Sequence, residues 1–380
     1  MNKVKVGVIG CGMISKVYMT NMTSVFSDYL DVVACADIKL EAAEALADAY
    51  GIQALSMDDV LLHPEIELIV NLTIPSAHYE VAKKALLAGK HVYTEKPLAT
   101  EVKQGKELIA LAKEKALVLA CAPDTYLGAG FQTCKRLIDE GQIGKPIAAY
   151  GFMLGRGPES FHPNLAFFYQ AGGGPLYDMG PYYFTTLAAL FGPALEVYGT
   201  GKRISETRKV KSEASPLYNT DFPCDVNTFE NIIVHYPNQV MANITTTWDV
   251  PFPYWESRLP QMIVYGDNGY IVIPDPNTYG GVASSPFTPE PGKVIYIKKG
   301  TEPEKEIAVD PGYLTNSRGI GPASIARAIR KGKRPDVSGE LALNVLETMH
   351  GVEESSRTKK SYEMQTSFEP LEPFYLFEKE

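Results

Sequence analysis

No two cysteines of the 380-residue chain are spaced C-x-x-C, and the five present (Cys11, Cys35, Cys121, Cys134, Cys224) are too scattered, and odd in number, for a disulfide framework. They read as reduced thiols of a cytoplasmic protein. The six histidines form no H-x-x-x-H pair and no Cys/His cluster, so no metal site is expected. A dense Lys/Arg block is also missing: 36 basic residues against 45 acidic ones give a formal charge of −9 and no positive footprint for nucleic acid. The short basic stretches Arg330–Lys333 and Lys359–Lys360 read as solvated faces. No apolar run approaches the ~18 residues of a membrane span. Glycines interrupt the apolar middle of the N-terminal MNKVKVGVIGCGMIS, and no small-residue cleavage site follows, which argues against a signal peptide. In a cytoplasmic chain the N-x-T matches at Asn21, Asn71 and Asn243 are coincidental. Internal repeats and low-complexity tracts are absent too.

What is present is a regular alternation. Val4–Ile9, Asp31–Asp37, Ile66–Asn71, His91–Glu95 and Leu117–Cys121 read as buried strands. Between them, helices are expected from Met13 to Phe26, Leu40 to Tyr50, Ser76 to Leu87 and Thr100 to Lys115, with an N-cap signal at Ser56. Short strands alternating with helices mean parallel βαβ units, hence a doubly wound α/β Rossmann domain over residues 1–122. Beyond Pro123 the texture changes. After a helix at Gly130–Glu140, runs at 231–236, 240–248, 262–265, 270–273 and 294–297 alternate without intervening helices, which predicts a large, mostly antiparallel open sheet. Helices at 182–191, 321–330 and 339–357 make residues 123–380 an α+β domain, the last helix packing on the core. The aromatic tail 361–380 is a docking segment for its own domain or a neighbour.

Three motifs carry chemistry. In Gly10-Cys-Gly12-Met13-Ile14-Ser15, Gly10 permits the tight turn and Gly12 lets the backbone approach a pyrophosphate at a helix N-terminus. Asp37 ends the next strand and suits the ribose hydroxyls of NAD, with Lys39 close enough to admit NADP. The bland alternative is a plain tight turn with Asp37 as a helix cap. The second motif, His91-Val-Tyr-Thr-Glu95-Lys96-Pro97, ends the fourth strand, where open parallel sheets bind ligands. Lys96 is a candidate to bind or protonate a substrate oxygen, although Lys beside Glu is as often a surface ion pair. The third is Gly172-Gly-Gly174-Pro-Leu-Tyr-Asp178-Met-Gly-Pro-Tyr182. Its glycines suit close approach to a ligand, and Asp178 and Tyr182 can face one cavity; alternatively Asp178 caps a helix and Tyr182 fills core space.

In this order and approximate spacing, VGVIGCGMIS, Asp37, AGKHVYTEKPLA, GQIGKP and GGGPLYDMG resemble the Gfo/Idh/MocA family of nicotinamide-dependent oxidoreductases over nearly the whole chain. The resemblance implies an active-site role for Lys96 and a loop beneath the cofactor at Asn71, Thr73 and Pro75, with Glu95 as a further cofactor candidate and His78, in the next helix, read equally as structural or cofactor-facing. Asp124, Tyr126, Arg156 and His162 are substrate candidates. Many members carry histidine where this chain has Tyr182, which resembles the glucose–fructose oxidoreductase, dihydrodiol and xylose dehydrogenase branches. The implied activity is hydride transfer between NAD (NADP possible) and a sugar or sugar derivative in a crevice between the two halves. Tyr182 and Lys96 would handle the hydroxyl proton, and Asp178 would accept a second hydroxyl. Other readings are transient sugar oxidation that permits glycoside cleavage, a cofactor-sharing sugar oxidoreductase, and a nicotinamide-sensing regulator on the same fold. The resemblance also implies a homodimer or homotetramer formed through the C-terminal sheet.

Overall fold

The computed structural model describes residues 2–253, 259–273, 275–277, 294–313 and 318–371; the 372–380 portion of the aromatic tail lies outside them. The chain divides into two compact units, one holding Met1–Gly128 with Asn316–Leu346, the other Ala129–Thr315 with Glu347–Pro370.

In the first unit, β1 (Val4–Ile9), β2 (Leu30–Ala36), β3 (Gln53–Ala54), β4 (Leu68–Asn71), β5 (His91–Thr94) and β6 (Leu119–Cys121) form a parallel sheet in the order β3-β2-β1-β4-β5-β6. Helices α1 (Ser15–Thr23), α2 (Leu40–Tyr50), α3 (Met57–Leu62), α4 (Pro75–Leu87) and α5 (Val102–Glu114) connect them. The local signals are legible in the chain. Ser56 accepts the Asp59 N–H at 3.1 Å to start α3, Pro75 opens α4, and α2 stops at the left-handed Gly51. All four residues of β4 are buried, as a strand covered on both faces requires. The strand order reverses between β1 and β4, so the crevice outside their carboxyl ends is where such a sheet takes a ligand.

Residues 318–346, expected in the second domain, belong instead to the first unit. The Arg330 guanidinium grips both oxygens of Glu67, at 2.6 and 2.7 Å, and Tyr126 donates its hydroxyl to the Asp336 carbonyl at 2.7 Å. Such a return across some 200 residues leaves no trace in local periodicity.

The second unit contains α6 (Ala129–Asp139), β7 (Pro146–Leu154), α7 (Ala166–Tyr169), α8 (Gly174–Asp178), α9 (Gly180–Phe191), β8 (Glu196–Lys202), β9 (Thr207–Lys209), β10 (Asp221–Pro223), β11 (Phe229–His235) and β12 (Met241–Thr247). There follow β13 (Met262–Gly266), β14 (Gly269–Ile273), β15 (Val294–Lys299) and β16 (Lys305–Ala308); after α10 (Ile320–Lys331) in the first unit, α11 (Gly339–Thr358) contributes to both units, and β17 (Tyr362–Glu363) closes the series. Nine strands pair in the order β16-β15-β14-β13-β7-β12-β11-β8-β17, antiparallel except for β7 against β12. One face buries Ala149, Met153, Ile232, Val234, Ala242 and Ile244. On the other, register aligns Tyr198, Ile233, Asn243, Tyr150, Ile263 and Val272 in one row across six strands. Tyr150, Tyr198, Met241 and Tyr265 of that face are exposed. Among the described residues no helix is long and apolar enough to cross a membrane.

Candidate functional site

The loop after β1 is shaped by its glycines and by Asp37. Gly10 has a φ of +101°, and a Cβ there would lie 2.6 Å from the Leu72 carbonyl group, so only glycine fits. Gly12 is exposed, and the loop leads into the N-terminus of α1, where unpaired N–H groups favour an anion. Ser15, in place of a third glycine, is fully buried and donates its hydroxyl to the Gly12 carbonyl at 2.7 Å. Asp37 is oriented by backbone: Oδ2 accepts the Cys11 N–H at 2.7 Å and Oδ1 the Lys39 N–H at 2.8 Å. Each oxygen keeps a further lone pair for a hydroxyl. Met13, Ile38 and Ile74 hold large apolar side chains in solvent around this loop, Ile38 with 100% exposure. Ile38 and Ile74 were absent from the sequence-derived set; an apolar residue directly after the strand-end acid is the signal that would have marked Ile38.

The loops after β4 and β5 come next. Asn71 is fully buried and accepts the Thr73 hydroxyl at 2.7 Å and its N–H at 3.3 Å, while its amide donates to the His78 carbonyl at 3.2 Å. It therefore builds the loop that presents Thr73 and Pro75. His78, expected at the cofactor, is corrected: it is fully buried, with Nδ1 2.7 Å from the Pro97 carbonyl and Nε2 2.9 Å from the Thr73 carbonyl. Glu95 is corrected likewise. Its buried carboxylate accepts the Tyr18 hydroxyl at 2.8 Å and the Lys96 backbone N–H at 2.9 Å, so it orients the loop rather than meeting a ligand. Lys96 itself is half-buried at the carboxyl end of β5.

Asp124 and Tyr126 also depart from expectation. Asp124 is fully buried, and its Oδ2 accepts the Gly319 and Gly321 N–H groups at 3.0 and 2.9 Å, anchoring the start of α10. Burial pushes its carboxyl up to about 6, against the opposing pull of those two amides. Tyr126 donates to the Asp336 carbonyl, so both residues have partners within their own unit.

In the second unit Asp178 ends α8 and Tyr182 is the third residue of α9, with Met179 between the helices in a helical conformation. Their four-residue spacing therefore amounts to about one helical turn, which sets the two side chains on one side. Tyr182 is 6% exposed and Asp178 half-buried. The glycines before them serve the chain itself: a Cβ at Gly173 would lie 2.4 Å from the Phe168 carbonyl oxygen. Arg156 is exposed, whereas His162 Nδ1 lies 2.7 Å from the Asn164 carbonyl and its ring packs edge-on against Phe167 and Phe168, a turn-stabilising placement.

Strand order, glycine loop and strand-end acid together define a dinucleotide-binding domain. A model described as an oxidoreductase family with NAD-binding Rossmann fold matches residues 4–122, and one for the GFO/IDH/MocA C-terminal domain matches residues 131–272. The chain belongs to the Gfo/Idh/MocA family, and its N-terminal domain is an NAD-binding one. It is 23% identical over 375 residues to the scyllo-inositol 2-dehydrogenase (NADP(+)) of Bacillus subtilis, covering 95% of this chain and 96% of that one. An uncharacterized oxidoreductase of Schizosaccharomyces pombe is 28% identical over 254 residues, 64% of this chain and 64% of the relative, so the match spans just under two thirds of that protein. The aldose-aldose oxidoreductase of Caulobacter crescentus, solved in complex with glycerol, shares the fold with a TM-score of 0.75 at 20% identity, over 96% of this chain and 100% of that one.

Proposed function

We propose that the protein is an NAD(P)-dependent dehydrogenase acting on a hydroxyl-bearing carbon of a sugar or sugar derivative. The observation that carries this reading is the placement of Lys96: a half-buried amine at the carboxyl end of β5, on a loop fixed by Glu95, in the sheet whose glycine loop and Asp37 suit the dinucleotide. The nicotinamide supplies the hydride acceptor or donor. In this reading Lys96 holds the reacting oxygen, Tyr182 takes or gives its proton, and Asp178 accepts a second hydroxyl. The names of the inositol dehydrogenase and the aldose-aldose oxidoreductase favour a polyol-like substrate. A screen of free sugars, polyols and glycosides with NAD and NADP, following both reduced cofactor and released aglycone, tests it. Silence in both channels across the screen would sink the reading.

Asp37 makes NAD the preferred cofactor, because a carboxylate accepts ribose hydroxyls and repels a 2′-phosphate. Hydrogen bonds to charged groups contribute about 1.5–3 kcal/mol. Asp37→Ala is therefore expected to reduce the NAD/NADP affinity ratio by about ten- to a hundredfold. Fluorescence titration with both reduced cofactors measures it, and an unchanged ratio removes Asp37 from the ribose.

The face of the nine-stranded sheet that exposes Tyr150, Tyr198, Met241 and Tyr265 is the proposed seat of a second copy, giving a homodimer or, through paired dimers, a tetramer. Tyr150 and Tyr265 meet edge-on at 6.0 Å between ring centres within it. Placing Asp at both positions is expected to yield a folded monomer by light scattering. A wild-type protein that is already monomeric at micromolar concentration would discredit the interface.

A further inference from the structure

His78 has two acceptors and, when neutral, one proton. Both its ring nitrogens face backbone carbonyl oxygens, Pro97 at 2.7 Å and Thr73 at 2.9 Å, and a carbonyl can only accept. The ring is fully buried, so its own nitrogens cannot turn to bulk water instead. Its two partners lie on the loops the site is made from: Thr73 follows β4, and Pro97 follows Lys96. An imidazolium satisfies both carbonyls; a neutral imidazole must leave one facing a lone pair.

The surroundings decide which one is released. The Pro97 contact is the shorter and is buried, whereas the Thr73 contact is only partly buried, so the Thr73 carbonyl is the one water can reach. Leaving the deeper acceptor unpaired costs more, which puts the single proton of the neutral ring on Nδ1. We propose that His78 is a proton-dependent positioning residue: protonated, it ties the cofactor loop at Thr73 to the Lys96 loop at Pro97, and deprotonated, it keeps Pro97 and releases Thr73. The charged groups facing the ring are Glu95, which favours its proton, and Lys96, which opposes it. Burial outweighs the carbonyls and draws the imidazole below its ordinary value of 6.5, so the double tie forms on the acid side.

A split between binding and catalysis follows, resting on the dehydrogenase reading only for its kinetic half. NAD affinity should tighten about two- to tenfold as the pH is lowered and the ring takes up its second proton, the range a single hydrogen bond confers, while kcat keeps a pH profile set by other groups. Asp124, with its carboxyl near 6, titrates in the same window, so the comparison is with His78→Gln, which can hold a carbonyl and cannot titrate. Calorimetric NAD titration of both proteins from pH 5 to 8 is expected to show the slope in the wild type and a flat line in His78→Gln. Long-range proton–nitrogen correlation on histidine-labelled, cofactor-free protein should show His78 protonated on Nδ1 alone at pH 8, with Nε2 gaining its proton only as the pH is lowered. An Nε2–H tautomer at pH 8, or an equal slope in His78→Gln, would overturn the proposal. Failure to bind NAD at any pH would instead defeat the dehydrogenase reading, with the nitrogen spectrum still reporting on the tie.

Discussion

Lys96→Met is expected to slow single-turnover hydride transfer by about 10²–10⁴, or about 2.7–5.5 kcal/mol of barrier, with NADH affinity close to wild type. Methionine keeps the length and much of the apolar stem of lysine but cannot hold a developing alkoxide. The variant should fold, because the loop is anchored elsewhere: Glu95 binds the backbone N–H of residue 96, a bond that survives any side chain there, and the Tyr18 hydroxyl at 2.8 Å fixes the other carboxylate oxygen. A loss confined to the chemical step separates an active-site amine from a surface ion-pair lysine, whose removal typically changes stability by ~1 kcal/mol or less and leaves rate alone. Rapid-mixing measurement of the first turnover, with substrate saturating, decides between them; a near-wild-type rate would take Lys96 out of the mechanism.

Tyr182→Phe should cost turnover on the same scale of about 10²–10⁴ while KM for the substrate moves little. The ring is 6% exposed, and phenylalanine fills the same volume, so the packing around α9 persists. The Thr186 hydroxyl bonds the Tyr182 carbonyl at 2.7 Å, a backbone contact untouched by the change. Full activity in Tyr182→Phe would mean that the tyrosine is core filler and its hydroxyl irrelevant to proton transfer. The double variant sharpens the test. If amine and phenol serve one oxygen, the combined loss falls well short of the product of the single losses. Independent, multiplying effects would assign the two residues to separate steps.

How much of this was legible beforehand follows from the range of the interactions involved. β1, the helix start at Ser56 and the stop at Gly51 are written in a few adjacent residues, and the sequence reading places them correctly. The antiparallel runs at β11 and β12 show as alternation because one face is buried and the other is not. β7 and β8 escaped notice: their Ala- and Gly-containing strands, PIAAYGFML and EVYGTGK, carry a weak hydrophobic contrast. Among site residues, motif and strand-end position single out Asp37, Lys96, Asp178 and Tyr182 as the candidates. For Asp124, Tyr126, Glu95 and His78 the structure adds partners within the chain itself. Motif position says that a polar residue lies near a strand end, but not whether its polar atoms are used by the chain itself. For Asp124 that answer sits nearly 200 residues downstream, at Gly319 and Gly321.

The division of the nucleotide-binding unit into two stretches of sequence has a consequence for its biosynthesis. When the ribosome has made residue 128, the sheet is complete, yet the buried Asp124 carboxylate, the Tyr126 hydroxyl and Glu67 still await Gly319 and Gly321, Asp336 and Arg330. The chain must emerge as far as Asp336 before those groups are satisfied. A nascent chain that pauses midway thus presents a half-finished cofactor domain, with an unshielded charge where the mature protein has a helix start, and a chaperone would meet it in that state.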